Sequence, residues 1–175
     1  MNMNNILVFY QSKYGATKLY MDMLKEKLDC DIVSTKNYIP GMEKDYEKIL
    51  FAGGVYAGAI SVMKFLRKNG ENFKDKKLAV FAVGVSEPHE DVIRFLKKQN
   101  LASLPFDIPL FYGRGIYDET KMTFLDKRLC KTIRKVLTSK NPDTLDPTMK
   151  ALLNIKGEKA DFVNKDYLNP MITFF

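Results

Sequence analysis

The residues best suited to chemistry lie early in the chain, where Gln11-Ser12-Lys13-Tyr14-Gly15-Ala16-Thr17 follows an apolar run and leads straight into a helical pattern. Hydroxyls at Ser12 and Thr17, a glycine that permits a tight turn, and the free N–H groups of a helix start together make a cradle for an anion, with phosphate the natural guest. No Gly-Lys-Ser/Thr occurs, so this is not a Walker loop, and it is not a GxGxxG fingerprint. A phosphatase of similar layout would need a Cys nucleophile here. A response regulator would need acids at the end of the first strand, where Phe9 and Tyr10 stand. His89, the only histidine, follows Pro88 at a helix start and reads as a solvent-exposed residue rather than a proton donor. Cys30 and Cys130 form no CxxC or Cys/His cluster, so no metal site or redox dithiol is read from them, and both are expected to be reduced, buried thiols.

Elements that could position the loop follow from the hydrophobic pattern. Residues 5–10, 31–34, 48–52, 77–83 and 107–111 are short runs rich in Val, Ile, Leu and Phe with little alternation, as strands covered on both faces require. Between them, residues 17–28, 60–68 and 90–98 carry helical spacing, whereas 35–47 is weakly patterned and predicts at most a turn of helix. Strand, helix, strand in this rhythm means right-handed crossovers and an α/β fold, a doubly wound parallel sheet with helices on both faces. Pro109 inside the fifth strand places that strand at the rim, since its missing N–H is tolerable there. A turn-rich stretch, a short helical pattern over 148–153 and an aromatic terminus then form a C-terminal extension, residues 140–175, expected to pack on a single domain spanning 1–175.

Length and composition agree with one globular domain: 175 residues, 46% hydrophobic, with 28 Lys and Arg against 21 Asp and Glu for a net charge of +7. That excludes wholesale disorder and low-complexity architecture. The start, MNMNNILVFY, has no basic stretch before a long apolar run, and no segment has the roughly 18 apolar residues of a membrane helix, so a cytoplasmic location is expected. The charge is not evenly spread. Residues 121–140 hold seven basic side chains and one acid, Asp126, and the apolar Met122, Leu125, Leu129, Ile133, Val136 and Leu137 recur there at helical spacing. The segment reads as an amphipathic helix with a basic outer face, either a solvated surface helix or one that attracts an anionic partner.

The loop Ser12-Lys13-Tyr14-Gly15-Ala16-Thr17 resembles the flavodoxin phosphate-binding pattern (T/S)-x-(T/S/N)-G-x-T, with Tyr14 in place of the usual small residue. The variant S-x-Y-G-x-T looks like the flavodoxin-domain proteins grouped with the menaquinone-dependent protoporphyrinogen oxidases and their Gram-positive relatives. The resemblance continues through Phe51-Ala52-Gly53-Gly54-Val55-Tyr56-Ala57-Gly58, Gly84-Val85-Ser86-Glu87-Pro88 and Tyr112-Gly113-Arg114. It implies a flavodoxin-like three-layer sandwich of five parallel strands in the order 2-1-3-4-5, and FMN as the cofactor. The FMN phosphate would sit on Ser12, Lys13, Tyr14, Gly15, Ala16 and Thr17. The ring would lie along the loop Gly53, Gly54, Val55, Tyr56, Ala57 and Gly58, with Tyr56 stacked on it. Gly84, Val85, Ser86 and Glu87 would bracket the other side, with Tyr112 or Arg114 closing the site.

Two flavoprotein readings follow. In the first, an oxidoreductase passes electrons from an anionic porphyrinogen-type substrate through FMN to a quinone, with peripheral contact to an anionic membrane. The basic balance favours it. The short connection from Gly113 to Thr120 counts against it, because the resembling oxidases carry a longer insertion there. In the second, the chain is a soluble flavodoxin-type electron carrier serving a redox partner protein. A basic binding module without flavin is the remaining reading, but nucleic acid is not expected, since the basic face lacks interleaved aromatics.

Overall fold

The computed structural model describes residues 6–175. Asn5, the first residue of the expected opening strand, lies outside them. Four strands, β1 (Ile6–Gln11), β2 (Asp31–Ser34), β3 (Lys48–Tyr56) and β4 (Ala59–Ile60), are followed by β5 (Lys77–Gly84) and β6 (Leu110–Arg114). The parallel sheet has the order β2-β1-β3-β5-β6, with the short β4 folded antiparallel onto the end of β3. Counting only the parallel strands, this is the expected 2-1-3-4-5 order.

Both faces of the sheet are apolar because alternate residues of each strand point to opposite sides. Leu7, Phe9, Ile49, Phe51, Val80 and Ala82 face one layer, while Val8, Leu50, Ala52, Ala79, Phe81 and Val83 face the other. The first layer consists of α2 (Met63–Asn69), α3 (Glu90–Asn100) and the weakly patterned connection 35–47. That connection forms one 3-10 turn at Thr35–Asn37 and turns beyond it. Its Tyr38 meets Phe9 edge-on with ring centroids 5.3 Å apart, so aromatic rings fill the space a longer helix would take. The second layer begins with α1 (Ala16–Lys25), which buries Tyr20, Met21 and Leu24.

The fifth parallel strand starts later than expected. Pro109 precedes β6, and its carbonyl accepts the Val80 N–H at 2.9 Å, so a residue that cannot donate still enters the ladder as an acceptor. Residues 53–56, expected as loop, belong to β3: Gly53 pairs with Gln11 and Ala82, Gly54 with Val83, and Val55 and Tyr56 with β4. Gly53 is required by close approach, since a Cβ there would lie 2.8 Å from the Val62 backbone nitrogen.

After β6 the chain leaves the sheet. β7 (Ile116–Asp118), α4 (Phe124–Thr138), α5 (Pro147–Asn154) and β8 (Lys159–Asp161) form an excursion, closed where β7 and β8 pair antiparallel. Past that pair the chain returns, and the segment ending in α6 (Asn169–Phe174) covers the α1 side of the sheet. Leu168 and Met171 are fully buried there, Phe174 packs on Phe111, and Lys48 and Lys77 donate to the carbonyls of Phe175 and Phe174. α4 carries the expected basic outer face at Arg128, Lys131 and Lys135, but of its apolar residues only Leu137 is buried, because the terminal segment occupies the sheet face. Burying a Leu or Met contributes about 1.5–3 kcal/mol, so the returning segment is a structural layer.

Leu168→Ala is expected to lower the unfolding free energy by about 2–5 kcal/mol, read from the urea midpoint. Leu129→Ala on the exposed side of α4 should change it by no more than about 0.5 kcal/mol.

Candidate functional site

The loops at the carboxyl ends of the parallel strands form the concave edge where doubly wound sheets bind ligands. The first leads from Gln11 to α1. Gly15 adopts φ 97° as the N-cap of α1, and its N–H donates to Ser12 Oγ at 3.1 Å. A Cβ at Gly15 would meet nothing within 4 Å. No cap side chain serves the opening turn and no acid lies in it, so its first N–H groups are not satisfied by a capping side chain. Thr17 is buried on the first turn, at 2% exposure.

Lys13 and Tyr14 are engaged by a residue that sequence reading left unassigned. Asp126, in the first turn of α4, accepts from Lys13 Nζ at 2.5 Å, from the Tyr14 hydroxyl and from Thr123 Oγ1 at 2.8 Å. The Asp126 N–H in turn donates to Thr123 Oγ1 at 3.2 Å, so Thr123 caps the helix while fixing the carboxylate. Hydrogen bonds from Lys13 first, then Tyr14 and Thr123, bring the Asp126 carboxyl down to about 2, and Asp126 raises the Lys13 ammonium. Two sequence signals mark Asp126, the T-x-x-D start and its being the one acid among seven bases, but neither shows that it reaches a loop 112 residues away.

Across the edge, Tyr56, Ala57, Gly58 and Ala59 form a tight hairpin. The two central residues have positive φ, 48° at Ala57 and 80° at Gly58, as a type I′ turn requires. Asn100, buried at the end of α3, clamps this turn. Its Oδ1 accepts the Ile60 N–H at 2.9 Å, and its Nδ2 donates to Gly58 O and Leu96 O, each at 2.9 Å. Nothing in the sequence marks this asparagine as more than a helix-end residue. Tyr56 is half-exposed and folds over Gly54, where a Cβ would sit 2.8 Å from its hydroxyl, and its ring meets Tyr14 edge-on with centroids 6.3 Å apart. Desolvation raises its phenol, partly offset by a backbone hydrogen bond from Lys13. Lys13, Tyr14, Tyr56 and Asp126 thus form one cluster.

The loop after β5 is held from below. Tyr112 is buried, and its hydroxyl donates to Ser86 O at 3.1 Å through the space left by Gly84, so it supports the loop rather than lining an opening. Desolvation raises its phenol. Arg114 donates to Val85 O from Nε at 3.3 Å and from Nη2 at 3.2 Å, lies 3.8 Å from Glu87, and stacks on Phe162 at 3.7 Å. His89 is exposed at the start of α3, with Nε2 3.1 Å from Glu87. Between this loop and α5 lies a cavity of about 540 Å³ bordered by Val85, Glu87, His89, Arg114, Lys150 and Asn154. α5 also approaches the hairpin, since a Cβ on Gly58 would lie 4.0 Å from Thr148 Oγ1. The connection from Gly113 to Thr120 is short, as read, yet the excursion it opens supplies the roof of this cavity.

The structure therefore gathers residues 12–17 with Tyr56 on one side, and Val85, Glu87 and Arg114 around the cavity on the other. Gly53, Gly54, Gly84 and Tyr112 are strand residues of the sheet, and the Tyr112 side chain is buried. Among the described residues, no group of three His, Cys, Asp or Glu is placed to hold a metal ion. Cys30 is buried, and desolvation raises its thiol to about 11. Cys130 is only partly buried, against the expectation of a buried thiol, because its helix stands off the sheet.

A family model described as a flavodoxin domain matches residues 7–144. Among solved structures, a flavodoxin from the domain Archaea is similar at 15% identity and a TM-score of 0.40, over 73% of this chain and 91% of that one. A provisionally assigned flavoprotein from Bacteroides eggerthii DSM 20697 is similar at 14% identity and a TM-score of 0.45, over 78% and 99% respectively. No curated protein matches the sequence with significance.

The Asp126 carboxyl is depressed in the folded chain, so its contribution is present above the ordinary carboxyl value of 3.8 and is lost as pH falls through about 2. A carboxyl ¹³C titration should place its midpoint near 2, and Lys13→Met should move that midpoint up toward the ordinary value.

Proposed function

Because the chain belongs to the flavodoxin-domain family, we propose that it is an FMN-binding redox protein whose oxidoreductase activity passes electrons from a reduced, anionic porphyrinogen-type substrate to a quinone. The observation that carries the flavin reading is the open, uncapped start of α1 beside Ser12, Lys13 and Gly15. These residues fit a phosphate monoester: no side chain caps the opening turn of α1, Ser12 Oγ lies 3.1 Å from the Gly15 nitrogen, and nothing lies within 4 Å of where a Gly15 Cβ would be. FMN, when bound, would supply the hydride and electron chemistry, while the protein supplies placement and electrostatics.

The roles of the chain's own groups follow. Ser12, Thr17 and the N–H groups of Gly15, Ala16 and Thr17 would hold the phosphate, and Lys13 would balance its charge while shared with Asp126. The hairpin at Ala57 and Gly58 and the loop Val85-Ser86-Glu87 would flank the ring, with Tyr56 against it. Arg114 keeps the Val85 carbonyl in place and so orients that loop. The cavity under α5 supports the oxidoreductase reading, because it opens beside the Val85-Ser86-Glu87 loop, which would flank the ring, with Arg114 and Lys150 on its border for an anionic substrate. Glu87 and Asp91 on the same border keep it from being uniformly basic.

Titration of the purified protein with FMN should change the flavin absorption and quench its fluorescence. Thr17→Val should weaken FMN at least about tenfold, the size of a lost hydrogen bond to a charged group, and leave riboflavin, which has no phosphate, unaffected. Equal effects on both would contradict the phosphate assignment. Loaded protein reduced anaerobically should be reoxidised by a menaquinone analogue, and oxidised protein should be reduced by protoporphyrinogen. Failure of both would assign the chain to the electron-carrier reading.

A further inference from the structure

Half of the eight large hydrophobic side chains exposed among the described residues lie on α4: Phe124 at 76%, Leu125 at 75%, Leu129 at 57% and Val136 at 47%. They are not scattered. Leu125, Leu129 and Val136 sit at i, i+4 and i+11 and form one stripe, and Phe124, Arg128, Lys131 and Lys135 repeat at i, i+4, i+7 and i+11 to form a second beside it. The opposite side of the helix is tied down by polar contacts. Asp126 holds Lys13 and Tyr14, and Arg134 lies 3.2 Å from the buried Glu119 and donates to Ile155 O. The one acid of the basic segment is thus turned inward, and the outward side carries Leu, Val, Phe, Lys and Arg with no negative charge.

The geometry points to α4 as a peripheral docking surface for an anionic lipid bilayer. An apolar stripe flanked by bases on long flexible stems suits an interface where hydrocarbon lies beside negatively charged headgroups. Nucleic acid has no use for the Leu and Val stripe. An acidic protein would need a groove matched to that stripe, whereas a bilayer needs only the two stripes side by side. No helix among the described residues is long and apolar enough to cross a membrane. The first turn of α4 is bonded to the 12–15 loop, so the bilayer would lie about one helix diameter, ~10 Å, from that loop. The inference does not depend on flavin, and vesicle binding and flavin binding are separate measurements.

The test is sedimentation of the full chain with phosphatidylcholine vesicles, with and without phosphatidylglycerol, at low and high salt. Binding is expected only with the anionic lipid and should weaken with salt. Each base near such a surface raises partitioning by roughly fivefold, so Lys131→Glu with Lys135→Glu should lower it by at least about 25-fold. Leu125→Glu with Leu129→Glu should abolish it, while Ile39→Glu, at an exposed apolar residue elsewhere, should not matter. All five positions are exposed, and circular dichroism melting checks that the variants stay folded. Binding unaffected by both α4 variants, equal binding to uncharged vesicles, or no binding at all would overturn the inference and leave an acidic protein as the partner of this face.

Discussion

The C-terminal edge of the sheet depends on one covering problem. A parallel sheet is apolar on both sides, and α1 covers only part of the side that carries Ala79, Phe81 and Val83. The helix immediately after β6 would be the ordinary solution. Here the last residues of the chain provide the cover, through Leu168, Met171 and Phe174. Everything between β6 and that segment must therefore leave the sheet and return, and the β7 and β8 pair is where the departing and returning chains meet. Phe162 N–H bonds to Gly115 O at 3.1 Å and Glu119 N–H to Glu158 O at 2.9 Å, which fixes the base of the excursion. Released from core duty, α4 and α5 lie where they can reach the strand-end loops.

The excursion has a small apolar core, chiefly Tyr117, Leu137, Leu145 and Ile155, and its cohesion is correspondingly polar. Arg134 donates to Glu119, which also accepts from the Tyr117 hydroxyl at 2.6 Å, and its guanidinium lies 5.0 Å from the Tyr117 ring centre. Asp126 performs the matching task at the other end of α4. An acid in the first turn is favoured by the helix dipole, and here it also meets an ammonium from the loop it faces. The basic excess of the segment is consequently sorted: Arg134 is engaged in internal contacts, whereas Arg128, Lys131 and Lys135 are exposed.

The parallel sheet was legible because it depends on short apolar runs and crossover lengths, which local sequence records, whereas its strand order came only with the resemblance carried by the strand-end loops. The departures share a physical cause. Leu125, Leu129, Ile133, Val136 and Leu137 have the periodicity of a core-facing helix, but periodicity states only that a helix has two faces, not which one the protein covers. The competitor for that position lies some forty residues away. Gly53 and Gly54 look like loop residues by type, yet pairing with β1 and β5 at Gly53 and with β5 at Gly54 keeps them in β3, and the space they leave is filled by Val62 and by Tyr56. The tight turn at Gly15 leading into α1 was legible because its residues are contiguous. Asp126 and Asn100 were not, since each acts on backbone or side chains far away in sequence.

The two rims of the edge are rigid for different reasons, and the hairpin is the costlier one. A non-glycine residue at φ 48° bears a penalty that Gly would not, and Ala57 lacks the side-chain hydrogen bond that helps Asn or Asp tolerate the left-handed region. Such a conformation persists only where its surroundings over-determine it. Here the Ser61 N–H donates to Gly54 O at 2.9 Å, the Ser61 hydroxyl to Gln11 O at 3.2 Å, and Asn100 grips both Ile60 and Gly58. These bonds tie the turn to β1, β3 and α3 at once. The opposite rim needs no strain, because Tyr112 and Arg114 hold the carbonyls of Ser86 and Val85 from beneath. A flat ligand between the rims would thus meet two backbone edges already fixed, and little ordering entropy would remain to be lost on binding.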